Sequence, residues 1–226
     1  MTYFLKKVIN DINLEKSDLK SICFILPNKR SSYELKKYLS ESTTKPVFAP
    51  KINSIDSLIK EISGLKEIKK SYLENEVYQL YNQAKMPGYK ERNYDTAVVN
   101  SFLKDSSEIE QNLLNVEDVM HELIELNKIK HWGENNPSIN IKQEFLKSLT
   151  SIYQEFKQKL NTQGLGTKGM CYSEAVVNLE HYKKANTNKR FFFIGLNALS
   201  KAEEIIIKEL IEINSGDIFW DIDSAS

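Results

Sequence analysis

Cysteine is almost missing from this chain. Cys23 and Cys171 are the two in 226 residues, too few for a disulfide framework. Cys23 lies in an apolar stretch, which predicts a buried thiol in a reducing compartment, the cytoplasm. No run approaches the roughly 20 apolar residues that a membrane-spanning helix needs. The N-terminal MTYFLKK lacks the basic region and long apolar run of a secretory signal. Neither sign of charge is in excess: 31 basic and 31 acidic residues cancel. No global field therefore draws in nucleic acid or membrane, and such binding has to come from a local patch. What remains is an ordinary globular composition, 27% charged and 41% hydrophobic. It is long enough for one large core or two small ones.

The common chemical motifs are lacking too. G-x-x-x-x-G-K-[ST] is absent. Gly164-Leu165-Gly166-Thr167-Lys168-Gly169 has similar letters in the wrong order and follows a helix rather than a strand. It reads as a flexible helix–helix loop. No G-x-G-x-x-G follows a strand, and no H-E-x-x-H, paired C-x-x-C or G-x-S-x-G occurs. His121, His131 and His181 are scattered. His121 and Glu125 have i, i+4 spacing, which a solvated helix surface explains better than a metal. Cys171 stands at a helix start, where its pKa can fall, yet the sequence supplies it no partner. Asp217, Asp221 and Asp223 bracket the last strand and read as a solvated strand end.

Among the features present, residues 21–39, SICFILPNKRSSYELKKYL, organise the rest. The unbroken apolar run at residues 22–26 predicts a parallel strand covered on both faces. Pro27 and Asn28 stop it, and Ser31 with Glu34 has the spacing of a capping box. Leu35, Tyr38 and Leu39 then share one helical face. The loop between would carry Asn28, Lys29 and Arg30 at the carboxyl end of a strand, where open α/β sheets bind ligands. With two cations and no glycine, it can meet a phosphate from its side chains but cannot wrap one in backbone amides.

In chain order, residues 2–13 predict a helix, and a short strand falls at Val47 and Phe48 between Pro46 and Pro50. Ser54 caps the next helix, which Gly64 ends. The run Lys66-Glu67-Ile68-Lys69-Lys70 reads as a solvated face. From about Lys69 the strand signals vanish. Helical faces follow on Leu73, Val77, Leu80, Tyr81 and Ala84, ended by Pro87–Gly88, and on Val99, Phe102, Leu103, Ile109 and Leu113. Val116, Val119, Met120, Leu123 and Ile124 form another, after a cap at Asn115. Residues 131–139 predict a loop. The cleanest stripe is Phe145, Leu149, Ile152, Tyr153, Phe156 and Leu160. A shorter helix then turns Ala175, Val176, Leu179 and Tyr182 inward. Strand signals return at residues 191–194, closed by Gly195. A capping box at Ser200 and Glu203 opens a helix to about Ile213, and residues 218–222 predict a last strand. The pattern predicts an α/β domain in two parts, residues 1–68 and 188–226, around an all-helical insertion at 69–187. A sheet strand followed by four residues predicts a fragment of a longer protein.

Lys29 and Arg30 are the leading binding candidates, followed by Asn53 and Ser54. In a parallel sheet both loops open on one edge. Lys and Arg there can hold a nucleic-acid backbone while Asn and Ser add hydrogen bonds to phosphate. A capped helix with exposed charges fits the same residues equally well. Tyr89, Lys90, Arg92 and Tyr94 interleave rings and cations as single-strand binders do, although core tyrosines are the simpler account.

Three segments together resemble a known family. FILPNKRSSYELKKYL followed by APKINSIDSLI is similar to the start of AddB-type helicase–nuclease subunits. In those, a strand and an LPN-x-R-like loop precede a helix, then a strand and an S-(I/F)-x-x-L helix. IYQEFKQKLNTQGLGTKGMCYSEA resembles the exit from their helical insertion. RFFFIGLNALSKAEEIIIKELI, then DIFWDID, resembles their next strand–helix and strand. The resemblance is nearest to the Bacteroidetes-type PD-(D/E)XK nuclease family. It implies a RecA-like, superfamily 1 helicase-like domain with a helical insertion, acting in DNA double-strand-break repair and recombination beside an AddA-type partner. The nuclease domain would lie downstream. The strand and phosphate loop expected before the first helix are not in this sequence. The expectation is thus an inactivated ATPase with no cofactor, no metal and no catalytic residue of its own. By position, Asn28, Lys29, Arg30, Asn53 and Ser54 correspond to loops that touch single-stranded DNA in active helicases. A structural protein-interaction module without DNA contact is the alternative.

Overall fold

In a computed structural model, residues 2–12, 19–42, 48–83, 96–130, 137–213 and 216–221 are described. The chain divides into two compact units, one of residues 1–63 and 174–226, the other of residues 64–173.

The first unit is mixed α/β around a parallel sheet. Its strands are β1 (Ile22–Leu26), β2 (Lys51–Ser54), β5 (Arg190–Ile194) and β6 (Asp217–Phe219), in the order β2-β1-β5-β6. Every pairing is parallel, with Leu26 opposite Ser54, Phe24 opposite Phe192 and Ile194 opposite Phe219. All five residues of β1 are buried, which accounts for its unbroken apolar run. Alternation along the strands sorts their side chains onto two faces. Ile22, Phe24, Leu26, Phe192 and Ile194 form one core with Leu5, Val8 and Ile9 of α1 (Thr2–Ile12) and Leu35 of α2 (Lys29–Ser42). Phe24 and Phe192 stack there at 5.7 Å. Phe191, of opposite parity, meets Tyr182 of α8 (Lys168–Ala185) at 6.4 Å. Cys23 is buried, and burial pushes its thiol above the usual range.

Two helices begin as the sequence indicates. Ser54 Oγ accepts from the amide of Ser57 at 3.3 Å and caps α3 (Ile55–Ser63), which Gly64 ends at φ +70°. Ser200 and Glu203 form a reciprocal box. The Ser200 amide donates to Glu203 Oε2 at 2.7 Å, and the Glu203 amide donates to Ser200 Oγ at 3.4 Å, opening α9 (Lys201–Ile213). The start of α2 differs from expectation. Asn28 Oδ1 accepts from the Ser31 amide at 2.9 Å, and Asn28 O accepts from the Ser32 amide at 3.2 Å. The helix therefore starts at Lys29, and Ser31 lies buried in its first turn. Asn28 Oδ1 takes the Ser31 amide, which in a Ser31–Glu34 box the Glu34 carboxylate would accept. Glu34 pairs instead with Arg30 at 3.5 Å. Lys29 and Arg30 are thus helical, not loop. The second strand is also displaced. Phe48 is not in a strand, Val47 lies outside the described residues, and pairing runs over Lys51–Ser54.

The second unit is largely helical: α4 (Lys70–Gln83), α5 (Thr96–Gln111), α6 (Val116–Lys130), α7 (Pro137–Thr162) and the start of α8. Asn115 caps α6, accepting from the Glu117 amide at 2.8 Å. Residues 137–139 were expected in a loop but open α7, with Pro137 at the first helical position, where a missing N–H costs nothing. Ile152, Tyr153, Phe156 and Leu160 of α7 are buried with Leu73, Val77, Leu80, Phe102, Val116, Met120 and Met170. The glycine-rich stretch after α7 is no flexible loop. Leu165–Gly166 forms β4, parallel to β3 (Lys66–Glu67). Its ladder includes Lys66 N–H to Gly164 O at 3.1 Å and Ile68 N–H to Gly166 O at 3.2 Å. The Lys66 run is accordingly part strand, with Lys66 and Lys69 exposed as a solvated face requires. Thr167 then caps α8, accepting from the Met170 amide at 3.1 Å. Pro87–Gly88, the Tyr89–Tyr94 cluster, His131 and Asp223 lie outside the described residues.

Candidate nucleic-acid interface

The register of β1 against β2 brings two strand-to-helix turns to one edge of the sheet. Leu26 and Ser54 are paired neighbours, so the turns into α2 and α3 open side by side at the carboxyl end. Polar residues at such turns answer first to the orphan amides of the helix that follows. Asn28 is occupied in capping α2 and Ser54 in capping α3. Asn53 faces sideways: its amide donates to Glu61 Oε2 at 3.5 Å. Glu61, on α3, also accepts from Lys51 Nζ at 2.6 Å and from the Tyr182 hydroxyl at 3.0 Å. Burial, with Glu61 adjacent, lifts the Tyr182 phenol well above its ordinary range. The Glu61 cluster ties β2, α3 and α8 together, and Asn53 belongs to it.

Lys29 and Arg30 remain as exposed charge. The Arg30 side chain is 90% exposed, and its contact with Glu34 is an i, i+4 pair of the kind that contributes little in water. Lys29 is exposed and makes no ion pair among the described residues. Both occupy the first turn of α2, where the helix dipole adds partial positive charge. The edge can therefore attract an anion through two side chains and a helix terminus.

Glu110 was invisible in the sequence. This carboxylate of α5 is buried in the second unit and accepts from the Tyr153 hydroxyl, with Thr167 Oγ1 donating to Oε2 at 3.4 Å. Lys157 Nζ lies 3.6 Å away. Burial holds the Glu110 carboxyl above the usual range, against the opposing pull of Tyr153, Lys157 and Thr167. A second buried carboxylate, Glu76 of α4, pairs with Lys159 of α7. Ser107 and Thr167 also line a cleft of about 490 Å³ with Leu73, Asn100, Lys104 and Lys168. The Asn100 side-chain oxygen is buried there with no hydrogen-bond partner among the described residues. Glu110, bonded to the cleft-lining Thr167, is already engaged by three donors, which fits a packing tie between helices better than acid–base chemistry.

Other candidates are accounted for locally. Glu125 pairs with Lys128 at 2.6 Å, and that hydrogen bond lowers its pKa. Cys171 is buried in the first turn of α8. Asp217 Oδ1 accepts from the Ile218 amide at 2.8 Å. Among the described residues no three His, Cys, Asp or Glu side chains gather as metal ligands. No described helix is long and apolar enough to cross a membrane. No protein-family model matches the chain, and no curated protein sequence matches it.

Proposed function

We propose that this chain is a non-catalytic, helicase-like scaffold that guides single-stranded DNA within a double-strand-break-processing helicase–nuclease, beside an AddA-type partner subunit. In this reading the parallel sheet is RecA-like and the helical stretch is an insertion subdomain. The AddB-like order of sequence segments supports it. The observation that carries it is the placement of Lys29 and Arg30. Both are exposed in the first turn of a helix at the carboxyl edge of a parallel sheet, where open α/β folds place ligands. Two cations beside a helix amino end suit a phosphate backbone and carry no sequence preference. A fluorescence titration of labelled oligo-dT at several salt concentrations tests this. Lys29→Ala with Arg30→Ala should weaken binding and flatten the salt dependence by about 1.4 in log–log slope, about 0.7 per lost phosphate contact. Identical affinity and slope in variant and parent would remove the pair from the site.

A docking role for the helical unit is the second reading, favoured by a stripe on α6. Leu123, Leu126 and Ile129 recur every third residue and are 41%, 51% and 63% exposed. Leu126→Asp with Ile129→Asp should then abolish pull-down of the partner subunit while leaving oligonucleotide affinity unchanged.

A further inference from the structure

The outward face of α2 carries an aromatic ring set among cations. Leu35, Ser31 and Ser32 are buried and fix which side of the helix faces inward. At 100° per residue, Lys29, Arg30, Tyr33, Lys36 and Lys37 fall together on the opposite side, and all are exposed. Tyr33 is 72% exposed. Glu34 and Glu41 offset Arg30 and Lys37 at 3.5 Å and 4.0 Å. Lys29 and Lys36 make no ion pair among the described residues. They lie one turn before and three residues after the ring, about 10 Å apart along a helix rising 1.5 Å per residue. The face therefore presents a flat ring with an uncompensated cation on each side.

That arrangement suits one class of ligand. A single strand offers bases that stack on any aromatic face and phosphates that flank each base. A membrane surface would need an apolar face to sink below the headgroups, and this one has a single ring and no aliphatic side chain. We propose that Tyr33 is a base-stacking residue, with Lys29 and Lys36 holding the phosphates on either side. The inference rests on the single-strand reading above and extends its site from the tip of α2 along the helix.

Anisotropy titrations with the whole chain, using oligo-dT and an abasic strand of the same length, test it. Tyr33→Ala should weaken oligo-dT binding by roughly 5- to 100-fold, and Tyr33→Phe by no more than about twofold, because the ring is what stacks. The Tyr33→Ala penalty should vanish on the abasic strand, and its salt slope should match the parent. Lys36→Ala should instead lower the slope by about 0.7 on both strands. If the parent binds but Tyr33→Ala binds oligo-dT equally well, or loses as much on the abasic strand, stacking is overturned while the single-strand reading stands. If the parent binds neither strand, the single-strand reading itself falls, and binding to phosphatidylserine vesicles would then assign the face to a membrane surface.

Discussion

The Tyr153 hydroxyl donates to the buried carboxylate of Glu110, joining α7 to α5. Tyr153 is itself buried, and its ring meets Phe102 edge-on at 6.1 Å. Tyr153→Phe keeps the ring and removes one donor from a carboxylate that water cannot reach. The expected cost is about 1–3 kcal/mol, read as a lower urea midpoint with unchanged slope. An unaltered midpoint would show that Glu110 does not depend on this donor.

Glu110 also makes a pH-dependent contribution with a definite sign. Its folded pKa is raised above the ordinary carboxyl value of 4.5. The folded state therefore binds the proton more tightly than the unfolded state does. Stability from this group is full below 4.5 and declines as pH rises through the folded value. Glu110→Gln keeps an acceptor for Tyr153 and removes the titration. The melting temperature of the variant relative to the parent should climb with pH above 4.5 and stay level below it. A difference independent of pH would contradict the burial assigned to this carboxylate.

Gly169, in the first turn of α8, lies against the α5 backbone. A Cβ there would lie 2.7 Å from the Ser107 Cα and backbone oxygen and 2.8 Å from Glu110 Oε2. The Gly169 amide donates to Ser107 Oγ at 3.0 Å. Alanine inside a helix normally gains about 1 kcal/mol over glycine. Here overpacking against backbone should outweigh that gain, since it costs typically about 1–3 kcal/mol. Gly169→Ala should lower the chemical-denaturation midpoint, and a raised midpoint would rule out the close approach.

At the sheet edge, Asn28→Ala should cost about 1 kcal/mol through loss of the α2 cap, with Asn28→Asp retaining most of it. Ser31→Ala should cost much less, since the cap acceptor is Asn28 Oδ1, which takes the Ser31 backbone amide whatever the side chain at 31. Equilibrium unfolding of the three variants checks the order. The reverse ranking would restore the Ser31–Glu34 box that the spacing alone indicates.

The parallel sheet was legible because β1 and β5 are buried on both faces and so write continuous apolar runs. The Ser200–Glu203 box was legible because its two residues do answer each other's amides, even with Asn197 three residues upstream. Ser31–Glu34 has the same spacing and misleads, because Asn28 lies just upstream and takes the amides first. β3 and β4 are two residues each, too short for any period, and their pairing joins segments far apart in the chain. Glu110 reads in sequence as one more charge on a helix surface. Its burial comes from Tyr153 and Thr167 on other elements, which no local pattern encodes. The exposure of Tyr33 is hidden for a related reason: period alone does not tell a ring left in solvent from one turned inward.

The β3–β4 ladder clasps the two ends of the stretch it encloses. Closing a loop costs entropy that grows only with the logarithm of its length, about 0.6 kcal/mol per doubling. Connections at the surface of the enclosed stretch can therefore lengthen with little added closure cost, provided the two rungs and the packed helical core persist. The same clasp joins residues distant in sequence, and such contacts are late to form, so tolerance of change there comes with slow closure.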